Sequence, residues 1–412
     1  MSEIRRQIIG KVMMAAGLVA GLLGGAGASI AQPAMNRPGM NGPPMEAHSA
    51  MRPPVGRQPG TLVSSDAVAG APAGMRAWRI TYWTTNAASA PRLVSGMVVA
   101  PDERGGPAGA DRRVLAWAHG TWGVAQRCAP SLSPAFFTAT PALDAVRQGY
   151  VVVAPDYPGL GSAGGNPYLV GEDTARSVLD AVRAARAIRT ARAGARFALW
   201  GESQGGHAAL WSAAAAPRYA PELALVGTAA AAPPTDLVAN FRQGTSAETK
   251  AMLTAFTAAS WQQHYRAPLG TLFNKPTQGV VMRLARNNCI ELGKTPRIGT
   301  LLGVVAVKNA LRGKDLGTIQ PWARLLNNNS VNPLLVRGPV LIAQSVNDPV
   351  VAPQVTRAFA QRLCRMRSSL RYVSLPGGDH GHTGRDSAAQ TLAWMDGRFR
   401  GEAPPNDCAG LR

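Results

Sequence analysis

The pentapeptide Gly201-Glu202-Ser203-Gln204-Gly205 holds the residue types that nucleophilic catalysis requires. It directly follows an apolar run, Phe197–Trp200, and directly precedes a small-residue stretch, Gly206–Trp211. A G-x-S-x-G between a strand and a helix folds as a sharp, strained turn that presents the serine hydroxyl, and the glycines are needed because bulkier neighbours would clash there. The helix N-terminus beneath the turn favours developing negative charge. Ser203 is therefore the candidate nucleophile, and acyl transfer is the chemistry it would perform. A hydroxyl is a weak nucleophile until a base takes its proton, and the usual base is a histidine oriented by a carboxylate.

Folds with this turn place the acid, then the histidine, downstream of the serine. Beyond the helical His207 the chain offers His264, His380 and His382. The last two lie in Pro376-Gly377-Gly378-Asp379-His380-Gly381-His382, a loop after the final predicted strand. The Gly-Gly-Asp-His-Gly turn favours His380 as base, with His382 as the alternative. The acid should end the preceding strand: Val340–Ala343 runs into a loop that ends in Asp348, at the edge of the sheet where catalytic loops gather. Asp379, beside His380, is read as a turn residue, and Asp156 as a stabiliser of a loop near the site. An oxyanion would need two backbone N–H groups, one from Gln204 and one from the loop His119-Gly120-Thr121-Trp122-Gly123. Thr121 is the first nominee in that loop and Gly120 the second. His119 should brace the loop through its ring, and His207 and Glu202 should be structural. This chemistry needs no metal and no organic cofactor, and no cysteine has the spacing of a metal ligand.

Positioning these residues requires a layered scaffold. Trp78–Trp83 alternates as a half-buried strand, and Leu93–Val99 is a second. Short, nearly continuous apolar runs follow at Val114–Ala118, Tyr150–Ala154, Phe197–Trp200, Leu225–Ala229, Val340–Ala343 and Tyr372–Leu375. Such runs suit strands buried on both faces of a parallel sheet. Amphipathic helical segments lie between them, at Asp173–Thr190, Gln354–Arg365 and Ser387–Phe399. Strands alternating with helices predict a doubly wound α/β sheet. Residues 236–333 break the alternation: no clear strand appears, and helices are expected at Glu248–Tyr265, Leu284–Leu292 and Gly299–Leu311. This insertion reads as a helical cap over a core of residues 76–235 and 334–412; helices packed away from the site are the alternative.

The chain has 412 residues, 46% of them hydrophobic, enough for a large core. Its formal charge of +20 comes mostly from scattered Arg, without a basic run or an aromatic-interleaved basic stripe, so nucleic acid is not expected as a partner. Arg5, Arg6 and Lys11 precede an apolar stretch, Val12–Ile30, and Ser29-Ile30-Ala31 fits a cleavage site. Residues 1–31 thus read as an export signal, with an uncleaved anchor as the alternative and the twin-arginine route left open. Downstream, no run approaches the roughly 20 apolar residues of a membrane span. Residues 32–75, rich in Pro, Gly, Met and Ala, are expected to form a disordered linker. Cys128, Cys289, Cys364 and Cys408 suggest two disulfides in a secreted or periplasmic protein, with three pairings open.

These residues resemble those of the secretory lipase family, the fungal secreted lipases and their bacterial relatives in the α/β-hydrolase superfamily. The resemblance covers Thr81–Cys408. It rests on Trp117-Ala118-His119-Gly120-Thr121, on Ala154-Pro155-Asp156-Tyr157-Pro158-Gly159-Leu160-Gly161, on the Ser203 turn, on Asp348, on Asp379-His380 and on the helical insertion. It implies an α/β-hydrolase fold, a cap over the acyl site, and lipase or carboxylesterase activity on acylglycerol-type esters. It also implies disulfides Cys128–Cys289 and Cys364–Cys408, the first tying cap to core. The expected partners are a small-molecule or lipid ester and, transiently, a lipid interface. The chain departs from the family in Glu202 and in its Pro/Met-rich leader. Two other readings stay open. One is a peptidase or amidase on the same fold, which would want a cluster in the cap to capture a peptide terminus; none is evident. The other is a catalytically inactive exported binding protein.

Overall fold

A computed structural model describes residues 56–102, 109–290 and 295–411. The expected export signal and the first part of the expected linker lie outside the described residues. Among the described residues, nine strands form one sheet in the order β1-β2-β3-β5-β4-β6-β7-β8-β9. Leu62–Val68 (β1), Met75–Thr85 (β2) and Pro91–Pro101 (β3) pair antiparallel, and β3 joins Val151–Pro155 (β5) antiparallel. From β5 onward the sheet is parallel, through Arg112–Ala118 (β4), Ala193–Glu202 (β6), Ala224–Ala231 (β7), Val340–Ser345 (β8) and Leu370–Leu375 (β9). The expected apolar runs fall within these strands, except that Tyr150 lies just before β5.

The linker expectation is corrected at its C-terminal end. Leu62–Val68 is an edge strand, paired with β2 from Val68↔Ala77 to Leu62↔Tyr82. Its Ser64, Ser65 and Asp66 carry no apolar alternation, so its backbone pairing was not visible in the side chains.

Helices Gly171–Arg186 (α1), Gln204–Tyr219 (α2), Pro353–Arg365 (α8) and Ala388–Arg400 (α9) flank the sheet. Between β7 and β8 come Leu237–Gln243 (α3), Ala247–Tyr265 (α4), Lys275–Asn287 (α5), Ile298–Ala310 (α6) and Trp322–Asn329 (α7), with no strand among the described residues. Helix α5 starts earlier than the expected Leu284: Asn274 accepts a hydrogen bond from Thr277 N–H, and Pro276 sits in the first turn.

Among the described residues, three large apolar clusters and a small one around Cys128, Ala129 and Leu160 hold the molecule. One packs α1, α2 and α8 on one sheet face, around Ile80, Val98 and Leu199. A second covers the other face, where Trp117 and Trp200 meet edge to face at 5.1 Å. The third belongs to the insertion, where Trp261 and Trp322 stack 6.3 Å apart beside Phe256 and Phe273, and it also takes in Tyr168 and Leu169 of the core. Cys128 is bonded to Cys289 and Cys364 to Cys408. The first disulfide joins the insertion to the loop after β4, reinforced by Ile290 N–H donating to the Trp122 carbonyl at 2.9 Å.

Candidate active site

Strand β6 ends at Glu202 and α2 begins at Gln204, so Ser203 is the whole turn between them. Its backbone lies at φ 54° and ψ −120°, a conformation that a non-glycine residue adopts only under constraint from its surroundings. The constraint is visible in its neighbours. A Cβ on Gly205 would lie 1.8 Å from the Ala118 carbonyl oxygen, and one on Gly201 would lie 2.0 Å from the Gly205 oxygen. Only hydrogen fits there, so both glycines are needed for the backbone to close. Ser203 N–H donates to Ala231 O at 2.8 Å, which locks the turn to β7.

His380 sits in a short turn, His380–His382, after β9. Ser203 Oγ lies 2.7 Å from His380 Nε2, and His380 Nδ1 lies 2.8 Å from Asp348 Oδ2. A carboxylate only accepts, so Nδ1 carries the proton and Nε2 is left to accept from the serine hydroxyl. The Asp348 side chain is fully buried. Its Oδ1 accepts from Val350 N–H at 2.8 Å and Val351 N–H at 2.9 Å, and its Oδ2 also accepts from Gln344 Nε2 at 3.0 Å. These donors fix the carboxylate toward the imidazole.

His382, the alternative base, turns away: its Nδ1 is 2.7 Å from Asp379 Oδ1 and its side chain is 55% exposed. The hydrogen bond to Asp379 raises its pKa above the ordinary value. Asp379 also accepts from Gly381 N–H at 3.1 Å, so it caps the turn that aims His380. Ser345 Oγ–H donates to the Gly378 carbonyl at 3.0 Å, and Glu202 accepts from Gly384 N–H at 2.8 Å, bracing the same loop on both sides. Burial pushes the Glu202 carboxyl above its usual range.

The loop after β4 borders the serine: a Cβ on Gly120 would lie 3.8 Å from Ser203 Cβ. Thr121 Oγ1 is 2.8 Å from the Tyr168 hydroxyl, which anchors the loop to the third cluster. His119 stacks on Tyr157 at 4.1 Å, and its ring lies between the carbonyl oxygens of Gly120 (2.5 Å) and Asp156 (3.1 Å). The Asp156 carboxylate is buried and accepts from Ser95 Oγ at 2.6 Å, Ser131 Oγ at 2.5 Å and Ser131 N–H at 2.8 Å. It ties strand β3 and the segment around Ser131 to its own loop behind the site. Gln204 is buried at the first position of α2. His207 donates from Nε2 to the Asn329 carbonyl at 2.7 Å, and burial lowers its pKa to about 4.

Two spaces open on Ser203. A cleft of about 540 Å³ runs past Trp122, Phe136, Ile290, His380 and Arg385. A narrow apolar pocket of about 40 Å³ lies on the other side, between Leu237, Phe241 and Val350. Leu253 of α4 lines both, so the insertion contributes walls to the site. Sequence reasoning missed Gln344, Ser345 and Tyr168. Their contacts here join residues from different parts of the chain, or a side chain to the acid four residues on, and no local pattern announces them.

A family model described as Secretory lipase matches residues 138–407. A probable inactive lipase of Mycobacterium tuberculosis is 28% identical over 389 residues, 85% of this chain and 81% of that protein. Lipase 5 of Candida albicans is 27% identical over 285 residues, 67% of this chain but 60% of the relative. Among solved structures, Candida antarctica lipase A in its closed state aligns with a TM-score of 0.67 at 19% identity over 86% of each chain. The rice cell wall degrading esterase LipA from Xanthomonas oryzae aligns with a TM-score of 0.65 at 21% identity, over 84% of this chain and 100% of that one. The mostly parallel sheet flanked by helices is the α/β-hydrolase fold.

Proposed function

The chain belongs to the secretory lipase family, and we propose that it is an exported carboxylic ester hydrolase in which Ser203 is the nucleophile, His380 the base and Asp348 the acid. The observation that carries this reading is the continuous line Ser203 Oγ–His380 Nε2, 2.7 Å, and His380 Nδ1–Asp348 Oδ2, 2.8 Å. Ser203 gives its proton to His380 as its oxygen attacks the ester carbonyl. The oxyanion is received by the N–H of Gln204 and by Thr121 or Gly120 N–H. Ser203 N–H is already used by Ala231 and takes no part. Asp348 stabilises the imidazolium, which then protonates the leaving alcohol; water repeats the cycle on the acyl-enzyme. The alcohol must leave within reach of Nε2, so it occupies the cleft lined by His380 and Arg385, and the acyl group enters the narrow pocket beside Leu237 and Phe241. The two disulfides suit an exported protein.

The test is hydrolysis of p-nitrophenyl esters of increasing chain length by the parent and by Ser203→Ala. Turnover that vanishes in the variant supports the reading, and the profile measures how far the narrow pocket admits a chain. A binding protein without turnover is the second reading, since one relative is named probable inactive. A folded parent that turns over no ester and takes no label from a serine-directed phosphonate would establish it. Labelling without ester turnover would instead favour a peptidase or amidase.

A further inference from the structure

The narrow pocket beside Ser203 has a polar end. Leu237, Phe241, Leu253, Val350 and Val351 give it apolar walls, and Asn240, Ser246 and Lys250 also line it. Ser246, Lys250 and Leu253 are spaced i, i+4, i+7 at the start of α4, so they share one face of that helix. Leu253 also lines the cleft on the other side of Ser203, which puts it beside the serine. Lys250 lies three residues back toward the helix N-terminus, roughly 4.5 Å along the axis, and Ser246 lies further still. The polar residues of α4 thus line the pocket beyond Leu253.

The hydrogen-bonding groups at that end do not balance. Ser246 is used by the helix cap: its Oγ accepts from Thr249 N–H at 3.3 Å and lies 2.7 Å from Thr249 Oγ1. Asn240 Oδ1 accepts from Ala352 N–H at 3.3 Å, while its Nδ2 has no partner among the described residues. The Lys250 ammonium has none there either, although Lys308 and Arg242 of the same insertion are held by Glu248 at 2.7 Å and Asp315 at 2.8 Å. Among the described residues no carboxylate lines the pocket. Asp348, which precedes its Pro349 wall, spends its oxygens on His380, Gln344 and the N–H groups of Val350 and Val351. Two free donors, one of them charged, therefore stand at the end of an apolar channel. A plain hydrocarbon chain would desolvate them without replacing their water, whereas an anion arriving on the ligand would pair with both.

We propose that this pocket selects acyl groups that end in a carboxylate, as in the half-esters of dicarboxylic acids, with Lys250 and Asn240 receiving the far end while Ser203 attacks the ester carbonyl at the near end. The proposal rests on the ester-hydrolase reading and names the substrate class of that same site. The test compares mono-p-nitrophenyl adipate and suberate with the neutral p-nitrophenyl hexanoate and octanoate. The enzyme is purified after export, as the parent, Lys250→Met and Lys250→Glu, and its active serines are counted with a serine-directed phosphonate. In the parent, kcat/KM for the acid-ended ester should match or exceed that for its neutral counterpart at one of the two lengths, and the advantage should shrink in high salt. Lys250→Met should lower the ratio of acid-ended to neutral kcat/KM about tenfold, mainly through KM. Lys250→Glu should lower it further and raise kcat/KM for p-nitrophenyl ε-aminocaproate above the parent's, a gain that a misfolded variant does not produce. The proposal is overturned if the parent prefers the neutral ester more than about tenfold at both lengths, or if Lys250→Met keeps the parent's ratio. Turnover of neutral esters without any dependence on Lys250 would sink this proposal alone and leave the hydrolase reading standing. No turnover of any of these esters would sink both.

Discussion

In the sheet core, Gly205 and Gly201 are held by backbone: an added Cβ would meet a carbonyl oxygen at 1.8 Å on the first and 2.0 Å on the second. In the insertion, Gly279 and Gly299 have nothing within 4 Å. The two regions also differ in their outer faces, since the core buries β5 and β8 on both sides while α6 leaves Ile298, Leu301, Leu302 and Val305 exposed. The core holds Ser203, His380 and Asp348 in one hydrogen-bonded line. The insertion is held to it by an apolar cluster, one disulfide and a few polar joints. Substitutions in the core should therefore act on chemistry, and those in the insertion on stability and on what reaches the site.

The largest effect is expected at Asp348. In Asp348→Asn the new NH₂ faces either Val350 and Val351 N–H or His380 Nδ1. Two donors cannot share the first position. In the second, Nδ1 becomes the acceptor and Nε2 carries the proton, so it cannot take one from Ser203. We expect a fall in kcat of about ten-thousandfold with little change in KM. Steady-state kinetics on a soluble ester check this, and a fall below tenfold would remove Asp348 from the proposed mechanism.

The joint between the regions comes next. Cys128–Cys289 spans 161 residues and Cys364–Cys408 spans 44. On loop entropy alone, replacing each pair by serine should cost about 5 and about 4 kcal/mol respectively. The pairs should differ more in kinetics, because Ile290, next to Cys289, forms part of the cleft wall. The first replacement should change KM severalfold and the second should not. Equal KM values would mean that the apolar cluster alone seats the insertion.

Much of this division is legible in the sequence. The Ser203 turn declares itself by glycines, strand and helix in register, and Asp348 by its place after an apolar strand. The Gly-Gly-Asp-His-Gly turn favours His380 over His382 in the sequence, but the reason the two part is not legible there: Asp379 captures His382 and caps the turn beneath His380. Four cysteines allow three pairings, and residue spacing does not select one. Strand β1 was hidden because it sits at the sheet edge with serine and aspartate outward. The bracing by Ser345, Glu202 and Tyr168 joins residues from 32 to 182 positions apart, or across to Thr121, and leaves no local trace.

A second joint is polar. His207 of α2 donates to the Asn329 carbonyl at the end of α7, and Asn329 also accepts from Gly171 N–H at 3.0 Å. Burial lowers the folded pKa of His207 to about 4, against an ordinary value of 6.5. As pH falls through 6.5 the unfolded chain takes up a proton that the folded chain refuses, so stability is lost from there down to about pH 4. The loss should approach about 3 kcal/mol. Asp180, pushed up to about 6 by burial, works in the opposite sense over much of that range. The difference between parent and His207→Gln isolates the histidine. Urea unfolding at pH 7 and pH 4.5 should show the parent losing more stability than the variant; equal losses would leave His207 uninvolved.

The smallest effect tests the looseness of the insertion directly. Gly279 lies inside α5, where a methyl group meets nothing within 4 Å. Glycine in a helix costs backbone entropy that alanine does not, so Gly279→Ala should stabilise the protein by up to about 1 kcal/mol. The same one-carbon change at Gly205 would drive a methyl into the Ala118 carbonyl and prevent the turn from closing. A thermal melt that rises by a few degrees in Gly279→Ala, with unchanged turnover, would show that α5 gains order without disturbing the site. A fall in melting temperature would mean that α5 is packed as tightly as the core, and the contrast between the two regions would fail at that helix.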